Sequence, residues 1–514
     1  MHARPGMLLA IGGGLLACVL LTRQTEYVGF FWDDGFYLAI ADWLNPFSAT
    51  PTWILEWGIR ERGYPIFYPL LLALGGADLS HVGRAYFING LIIFGAYAVT
   101  VLWFRERVDS RWVGLGLAAV VILSAGSLKL LNLLFAENLY LLVSIGAFVL
   151  WSRKGQSPGA LLAAGLLCGA AAATRTIGIA LVGAFMLQIV ISRPVRGWWP
   201  VAAPVIPMAF NEWLRDRLDA PSYLVVWWDQ GPGLEPAAWI EFLGDQAVAL
   251  LQGWGGVFTG FGWSPHHLFL LPLLVLAGLG WGLMLRRYSF ETVYLAGYLG
   301  IVMIWPFPEH FIRFIYPVLP VALWLAWEGW RWLRGQLFAE SLAGRLDLGL
   351  VLVLLLVGPV PNLLHLGAKL SAPLPERLAS LRRTPEWLET RDRQTGLQIL
   401  EARRRWMDDA RRIRDTVPQG ECVITELATL VWVQAVRATR LPDWYGVGEA
   451  LETPLRTDCN YYYLVPVMLS GESTPAQIDA FVARHDLLHV TPSPRDPSGV
   501  EKLGILLRLR HPQE

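Results

Sequence analysis

Long apolar runs separated by short polar segments dominate the first two thirds of the chain. Each run is long enough to cross a bilayer, some of them only with tilt or partial burial. They lie at about 7–21, 84–104, 112–128, 137–152, 159–174, 176–192, 198–212, 267–286, 290–306, 311–328 and 346–364. We therefore predict a mainly α protein, a polytopic bundle of about 11 transmembrane helices.

Cationic residues gather in alternate loops between these runs. The positive-inside rule makes those loops cytoplasmic, which predicts a cytoplasmic N-terminus and a C-terminal region on the outer side. The cations are Arg105, Arg107, Arg111, Arg153, Lys154, Arg193, Arg196, Arg286, Arg287, Arg331, Arg334 and Arg345. Two long segments then face outward: the first outer loop, about 23–83, and the middle outer loop, 213–266. The middle outer loop is rich in Trp, Gly and Pro, and we expect it to be a loop seated partly in the membrane.

The last part of the chain has a different pattern. Residues 376–416 are rich in arginine and have apolar positions at helical spacing, and Pro418 and Gly420 end this helix. Strand-like runs follow, with the helical segment PAQIDAFVARHD among them. The runs lie at 422–426, 461–467, 487–491 and 503–509. The pattern predicts a transmembrane domain over 1–365 and a small extracytoplasmic α/β domain over 366–514, with a role in packing or acceptor recognition.

Composition agrees with a membrane protein and narrows its partners. Hydrophobic residues make up 54% of the 514 residues and charged residues only 16%, against about a quarter in soluble domains. The formal net charge is +0, so no overall field attracts nucleic acid. Cys422 and Cys459 lie in the polar tail, and their spacing leaves open whether they are bridged or free.

Asp33 and Asp34 are the most informative polar residues, because they follow the first apolar run within the segment FFWDDGFYLAIADWL. An Asp before Gly is also ordinary turn chemistry. Here aromatic residues flank the pair and should hold it at the level of the bilayer, where ionised carboxylates are costly. A partly desolvated carboxylate suits a general base, because its pKa moves toward the working pH.

Three further charged residues are expected on the same outer side. Glu137 heads the fourth run, where the helix dipole alone would favour an acid, and it is a candidate second catalytic carboxylate. Arg175 and Arg313 lie in apolar sequence at the outer ends of their runs. They could extend to the headgroups, but two guanidiniums on the face that holds the acids favour a phosphate-binding pair.

Three side chains and a possible metal complete the candidate set. Tyr37, Tyr68 and His310 are candidates for lining an acceptor cavity on the outer side. A divalent metal is a further candidate, with Asp34 and Glu137 as its oxygen ligands, although the chain has no HExxH-type spacing. No other cofactor is predicted.

The order of these motifs resembles the GT-C-fold membrane glycosyltransferases, in the branch of aminoarabinose transferases and protein O-mannosyltransferases. The acid pair with YLAIADWL, and then Pro65, Tyr68 and Pro69, resembles the first outer loop of that fold. AENLYLL, TRTIGIAL and RFIYPVLPVAL resemble three later segments of it. The resemblance covers most of 25–330. Asp34 stands where many relatives have Glu, and Ala136 stands where they have Ser.

The resemblance implies transfer of a sugar from a polyprenyl-phosphate carrier to a lipid, glycan or protein acceptor at the periplasmic face of a bacterial inner membrane. Asp33 would be the base, Asp34 would orient the acceptor or bind an ion, and Glu137 would line the same cavity. Arg175 and Arg313 would bind the departing phosphate, and a single displacement would invert the anomeric carbon.

Two other kinds of function stay open at this point. An O-antigen-ligase-like enzyme would depend on a different outer loop and not on an early acid pair. A transporter or lipid flippase would carry ionisable residues in mid-span, or inverted repeats, whereas here those residues gather at one membrane face. A scaffold that only displays the tail domain would leave the acids and arginines without a role.

Overall fold

The computed structural model describes residues 28–30, 32–51, 64–153, 157–192, 199–217, 236–260, 267–390, 392–440, 459–469, 474–496 and 501–510. The predicted first span, about 7–21, lies outside these residues. The helices are α1 Trp32–Leu44, α2 Phe67–Leu74, α3 Val82–Arg107, α4 Arg111–Ile122, α5 Ala125–Leu130, α6 Glu137–Ser152, α7 Pro158–Thr174, α8 Ile179–Ser192, α9 Trp199–Ala202, α10 Val205–Arg217, α11 Pro236–Thr259, α12 His267–Leu285, α13 Phe290–Met303, α14 Phe311–Ile315, α15 Leu319–Leu337, α16 Glu340–Val357, α17 Pro359–Ser371, α18 Pro385–Glu389, α19 Arg393–Thr416, α20 Ala428–Ala435, α21 Pro466–Leu469 and α22 Pro475–Val482.

The chain divides into two compact units. The described residues of 63–68 and 87–371 form the first, which we call the helical unit. The described residues of 24–62, 69–86 and 372–514 form the second, which we call the mixed unit. Much of the first outer loop, with the acid pair, therefore belongs to the same compact unit as the C-terminal residues.

Close helix contacts and aromatic packing build the core of the helical unit. Gly280 of α12 and Gly329 of α15 face each other so closely that a Cβ on Gly280 would lie 1.8 Å from the carbonyl oxygen of Leu325. Only glycine permits this approach of two backbones. Trp103 packs edge-on against Trp324, with their ring centroids 6.0 Å apart. These contacts pack α3 and α12 against α15.

The apolar runs of the helical unit are helical, as predicted, but their number as membrane spans stays a prediction. Among the described residues, three helical stretches are long and apolar enough to cross a membrane: Val82–Arg107, Phe311–Leu337 and Glu340–Ser371. Six more apolar helices are shorter, with 10 to 17 residues each. A tilted or partly buried short helix can still complete a crossing.

Several of the predicted runs are interrupted, and two of them show the local cause. The run at 112–128 divides into α4 and α5, because Ser124 has extended backbone and its side chain accepts a hydrogen bond from the amide of Ser127, which starts a new helix. The run at 346–364 divides at Gly358, where Pro359 begins α17 without an amide hydrogen.

The middle outer loop was predicted to be a loop, and this is wrong for much of it. Its described residues include α11, a helix of 24 residues with apolar residues on one side. The Gly and Trp residues that suggested a loop instead let α11 pack closely. A Cβ on Gly253 would lie 2.6 Å from the Cδ1 atom of Ile315.

The mixed unit contains a sheet of five strands among its described residues. Their order is β2-β1-β3-β5-β4, with β1 parallel to both β2 and β3 and with β5 antiparallel to β3 and β4. The strands are β1 Cys422–Thr425, β2 Ala438–Arg440, β3 Tyr461–Leu464, β4 Asp486–Pro492 and β5 Lys502–Arg508. Four of them match the predicted runs. The sequence pattern missed β2, because three residues are too few to show an alternation.

Two further features complete the mixed unit. The predicted arginine-rich helix is present as α19, which ends at Thr416 before Pro418, and its N-terminal part 376–389 forms a separate 3₁₀ turn and α18. Cys422 and Cys459 form a disulfide that joins the start of β1 to the segment before β3. This decides the pairing that the sequence left open.

Candidate active site

Glu137 occupies the first position of α6 and is fully buried. The residue before it, Ala136, has no side chain that could accept a hydrogen bond from the helix amides. A carboxylate at this position is favoured by the positive end of the helix dipole. Burial of a charge is still costly unless partners of opposite charge lie against it.

Two arginines supply those partners. Arg313 in α14 donates from Nε to Oε1 of Glu137 at 2.6 Å. Arg175, in extended backbone just after α7, forms an ion pair with the same carboxylate oxygen. Their side chains are only 17% and 13% exposed. The structure therefore brings together the three charged residues that the sequence placed on one side of the helical unit.

Aromatic rings fix the orientation of both guanidiniums. Arg313 lies 4.0 Å above the centroid of the Phe135 ring, and Arg175 lies 4.7 Å from that of Phe314. Stacking of this kind suits arginine and not lysine, because the guanidinium is planar and weakly hydrated. Each arginine is thus held by a carboxylate at its edge and by a ring at its face.

The charges of this trio do not cancel. The two guanidiniums carry one positive charge more than the carboxylate balances, and each lies against an aromatic ring. A guanidinium group presents its N–H donors in a planar array that matches a phosphate. The arrangement is suited to binding an anion such as a phosphate.

A tyrosine and an asparagine next to these residues were missed by sequence reasoning. The hydroxyl of Tyr316 donates to Oδ1 of Asn138 at 3.0 Å, and both residues are buried. Asn138 follows Glu137, and Tyr316 lies three residues after Arg313, so this bond ties the start of α6 to the end of α14. The sequence signal that could have identified them is the presence of polar residues in the otherwise apolar segments AENLYLL and RFIYP.

The tyrosines and the histidine proposed as cavity lining have different surroundings. Tyr68 is fully buried and donates to Oδ1 of Asn89 at 3.1 Å, which is a position suited to packing. Tyr37 is also buried, within α1 of the mixed unit. His310 is partly exposed, and its ring lies 6.2 Å from that of Phe307. Contact of any of them with an acceptor stays a prediction.

The acid pair lies in the first turn of α1, and its two members differ in exposure. Asp33 is partly exposed, whereas Asp34 is buried. Oδ1 of Asp34 accepts hydrogen bonds from the amide of Gly35 at 2.7 Å and from that of Gly29 at 3.2 Å. Burial raises the pKa of Asp34 well above its usual range, against the opposing effect of these two amides.

The surroundings of the two acids give them different uses. Asp34 is engaged with backbone amides, which is the arrangement of a residue that shapes a turn. Asp33 keeps access to solvent at the same helix end. Of the pair, Asp33 is therefore the better candidate for accepting a proton from another molecule.

The metal predicted on Asp34 and Glu137 has little support in the geometry. Among the described residues, no three or more His, Cys, Asp or Glu side chains lie together as ligands for an ion. Glu137 is engaged by two guanidiniums, and Asp34 by two amides. Hard divalent cations need several oxygen ligands in one place, and the described residues do not bring such a set together.

Comparison of the chain with protein-family models and with curated proteins gives no match. Its structure is similar to solved ones. The apo crystal structure of ArnT from Cupriavidus metallidurans has a TM-score of 0.50 at 12% identity, over 98% of this chain and 98% of that one. ArnT bound to undecaprenyl phosphate has a TM-score of 0.48, 13% identity and the same coverage. An Archaeoglobus fulgidus oligosaccharyltransferase tethered with an acceptor peptide has 0.49 and 13%, over 95% of this chain and 73% of that one. The similarity to apo ArnT confirms the fold that the sequence resemblance implies.

Proposed function

Because the chain has the GT-C fold of membrane glycosyltransferases, we propose that it transfers a sugar from a polyprenyl-phosphate donor to an acceptor at the outer face of a bacterial inner membrane. The observation that carries this proposal is the convergence of Arg175 and Arg313 on the buried Glu137. A fold alone does not define an activity. The charged trio is the part of the helical unit whose chemistry points to a phosphate.

Arg175 and Arg313 would bind the phosphate of the donor and stabilise it as it leaves. Negative charge grows on that phosphate while its bond to the sugar breaks. Fixed donors in largely apolar surroundings stabilise developing charge better than water does, because they need no reorganisation. Glu137 would orient the two guanidiniums. The rings of Phe135 and Phe314, stacked against them, would hold the guanidinium planes in the orientation that meets the ligand.

Asp33 would serve as the base. In the proposed step the acceptor's hydroxyl or amine attacks the anomeric carbon, and its proton passes to the Asp33 carboxylate. The bond between that carbon and the phosphate oxygen breaks, and the electron pair leaves with the polyprenyl phosphate. No carboxylate is assigned as a nucleophile, so one displacement inverts the anomeric configuration. Asp34 would fix the turn that presents Asp33.

The proposed orientation rests on two independent features. Arginines gather in the loops assigned to the cytoplasm, which the positive-inside rule requires. The disulfide between Cys422 and Cys459 suits a mixed unit in an oxidising compartment such as the periplasm. Both support a position of the acid pair and the C-terminal residues on the outer side.

The test is sugar transfer by the purified full-length protein in liposomes, with a panel of radiolabelled polyprenyl-phosphate sugars and an extract of envelope lipids and glycans as acceptor. We expect Asp33→Asn to lower kcat by about 100-fold or more, with donor binding retained. Arg313→Gln should weaken donor binding as well as kcat. Asp408→Asn and Arg331→Gln are matched controls, because both side chains are substantially exposed.

Three outcomes would count against the proposal. Full activity of Asp33→Asn would remove Asp33 as the base. Unchanged donor affinity in Arg313→Gln would remove the phosphate-binding role of the trio. Absence of transfer from every donor by a protein that still binds and moves the lipid across the bilayer would favour a flippase.

A further inference from the structure

A helix of the mixed unit contacts the turn that carries the acid pair. Thr429, near the start of α20, donates from its hydroxyl to the carbonyl oxygen of Gly29 at 2.8 Å. Gln434, one and a half turns later, donates from Nε2 to the carbonyl oxygen of Val28 at 3.2 Å. Two side chains of one helix therefore hold two successive carbonyl groups that lie about 400 residues earlier in the chain.

The contact is tight enough to require glycine on the side of the turn. Gly29 has a φ of +99°, and a Cβ there would lie 2.9 Å from the Cα of Leu430. A Cβ on Gly35 would lie 2.9 Å from the Cβ of Thr429. Real Cβ atoms do not approach other atoms this closely, so the two glycines permit the helix and the turn to touch.

An unbroken series of bonds connects this contact to the acids. Thr429 holds the carbonyl group of Gly29, and the amide of Gly29 donates to Oδ1 of Asp34 at 3.2 Å. Asp34 adjoins Asp33 in the first turn of α1. A second contact joins α1 to α20: the ring of Phe36 packs edge-on against Trp432, with centroids 5.8 Å apart. The position of Asp33 thus depends on α20.

We propose that α20 sets the position of the catalytic base, with Thr429 as the positioning residue. This inference rests on the proposed function of Asp33 and gives the C-terminal residues a direct part in it. A base must lie within hydrogen-bond reach of the proton that it accepts. A displacement of about 1 Å at a reacting group can cost up to a hundredfold in rate, so the bond from Thr429 acts on turnover and not on substrate affinity.

The experiment compares Thr429→Val, Thr429→Ser and the wild type as full-length protein. Valine keeps the size of threonine and removes the donor, whereas serine keeps the donor. Thr395→Val, at an exposed position in α19 of the same unit, is the matched control. Two quantities are measured: hydrogen–deuterium exchange of the peptide that covers 28–40, and the kinetics of sugar transfer between pH 5 and 9.

In Thr429→Val the amides of Gly29 and Gly35 should exchange about 10-fold faster or more, because the backbone that presents them to Asp34 is no longer held by α20. The kcat of this variant should fall about 10-fold with KM within twofold, and the acidic limb of the kcat–pH profile should shift. Thr429→Ser should keep the exchange rates, the kcat and the pH profile of the wild type. Gly35→Ala, which forces the turn away from Thr429, should reproduce the exchange and kcat effects.

Failure of the two proposals is distinguishable. If the peptide 28–40 exchanges at the wild-type rate in both Thr429→Val and Gly35→Ala, the proposed role of α20 is overturned, whatever the activity. Faster exchange with unchanged kcat and pH profile would also overturn it and leave the glycosyltransferase proposal intact. Faster exchange in a protein whose wild type transfers no sugar would support the hold of α20 on the turn and contradict the proposed function alone.

Discussion

Arg313 donates from Nε to Oε1 of Glu137 at 2.6 Å, across 176 residues of sequence. Arg175 forms an ion pair with the same oxygen. One buried carboxylate therefore holds two guanidiniums that would otherwise repel each other. This relationship favours a role for Glu137 in positioning the proposed phosphate-binding pair over the predicted role of a second catalytic acid.

Neutralising Glu137 should harm both stability and donor binding. Glu137→Gln leaves two partly buried guanidiniums without their shared counter-charge, and loss of one member of a buried ion pair typically costs about 3–5 kcal/mol, which is an upper bound here. We expect a marked fall in the temperature of unfolding in detergent and weaker binding of polyprenyl phosphate. Both are measured on the purified protein, the second by isothermal titration calorimetry.

Glu328→Gln is the control for Glu137→Gln, because Glu328 pairs with Arg331 at 3.4 Å within one helix and that arginine is 38% exposed. Pairs of this kind contribute about 1 kcal/mol or less. An equal effect of the two substitutions would show that Glu137 has no special part in holding the arginines.

Replacement of Asp34 should be far milder than replacement of Asp33. Burial raises the pKa of Asp34, which favours its neutral form. Asparagine has nearly the shape of a neutral aspartic acid and keeps an oxygen for the amides of Gly29 and Gly35. We expect Asp34→Asn to unfold at the same temperature as the wild type and to keep its transfer activity within about fivefold. Asp33→Asn should lose about 100-fold in activity. Transfer rates of the two variants, side by side, decide this, and the reverse order would make Asp34 the base.

Glu426 should make the stability of the mixed unit depend on pH. It is buried, its Oε1 accepts from the hydroxyl of Tyr462 at 2.6 Å, and its Oε2 accepts from the amide of Val465 at 3.0 Å. Burial raises its pKa from an ordinary 4.5 to about 7. The folded protein therefore binds the proton more tightly than the unfolded chain does. Protonated Glu426 therefore stabilises the fold. This contribution, about 3 kcal/mol, is fully present below about pH 4.5 and is lost as the pH rises through 7.

The measurement for Glu426 is thermal unfolding between pH 5 and 8. Glu426→Gln carries no titrating proton, so its unfolding temperature should vary less with pH, and it should exceed that of the wild type most at pH 8. Glu501→Gln, at an exposed position, should follow the wild type. A wild-type curve that rises from pH 5 to 8 with the same slope in both variants would refute this prediction.

The disulfide between Cys422 and Cys459 should stabilise the sheet of the mixed unit. It joins residues separated by 37 positions, and in the chain-entropy account such a loop is worth about 4 kcal/mol. The double variant Cys422→Ser/Cys459→Ser should exchange the backbone amides of β1 and β3 faster than the wild type does. The buried Cys168 provides the control, because Cys168→Ser should leave exchange in those strands unchanged. Faster exchange in Cys168→Ser alone would contradict this assignment.

The sequence by itself determined the class of protein and its helices. Apolar runs must leave water, so their lengths and the arginines between them predict a helical membrane protein whatever the tertiary contacts are. The same holds for α19, whose apolar spacing and following Pro418 defined both the helix and its end. Local composition was misleading where glycine and tryptophan served helix packing, as in α11, and where a strand was too short to show a pattern, as in β2.

The tertiary structure decided what the charged residues do. The sequence placed Glu137, Arg175 and Arg313 on one side, but their convergence on one carboxylate oxygen depends on how three helices pack. The sequence singled out Asp33 and Asp34 together. Only the structure distinguishes Asp34, which is buried and bonded to backbone amides, from the more exposed Asp33. No local pattern links Thr429 to Gly29, because their contact joins residues 400 positions apart. Periodicity records where a side chain leaves water, whereas its partners are set by the packing of distant segments.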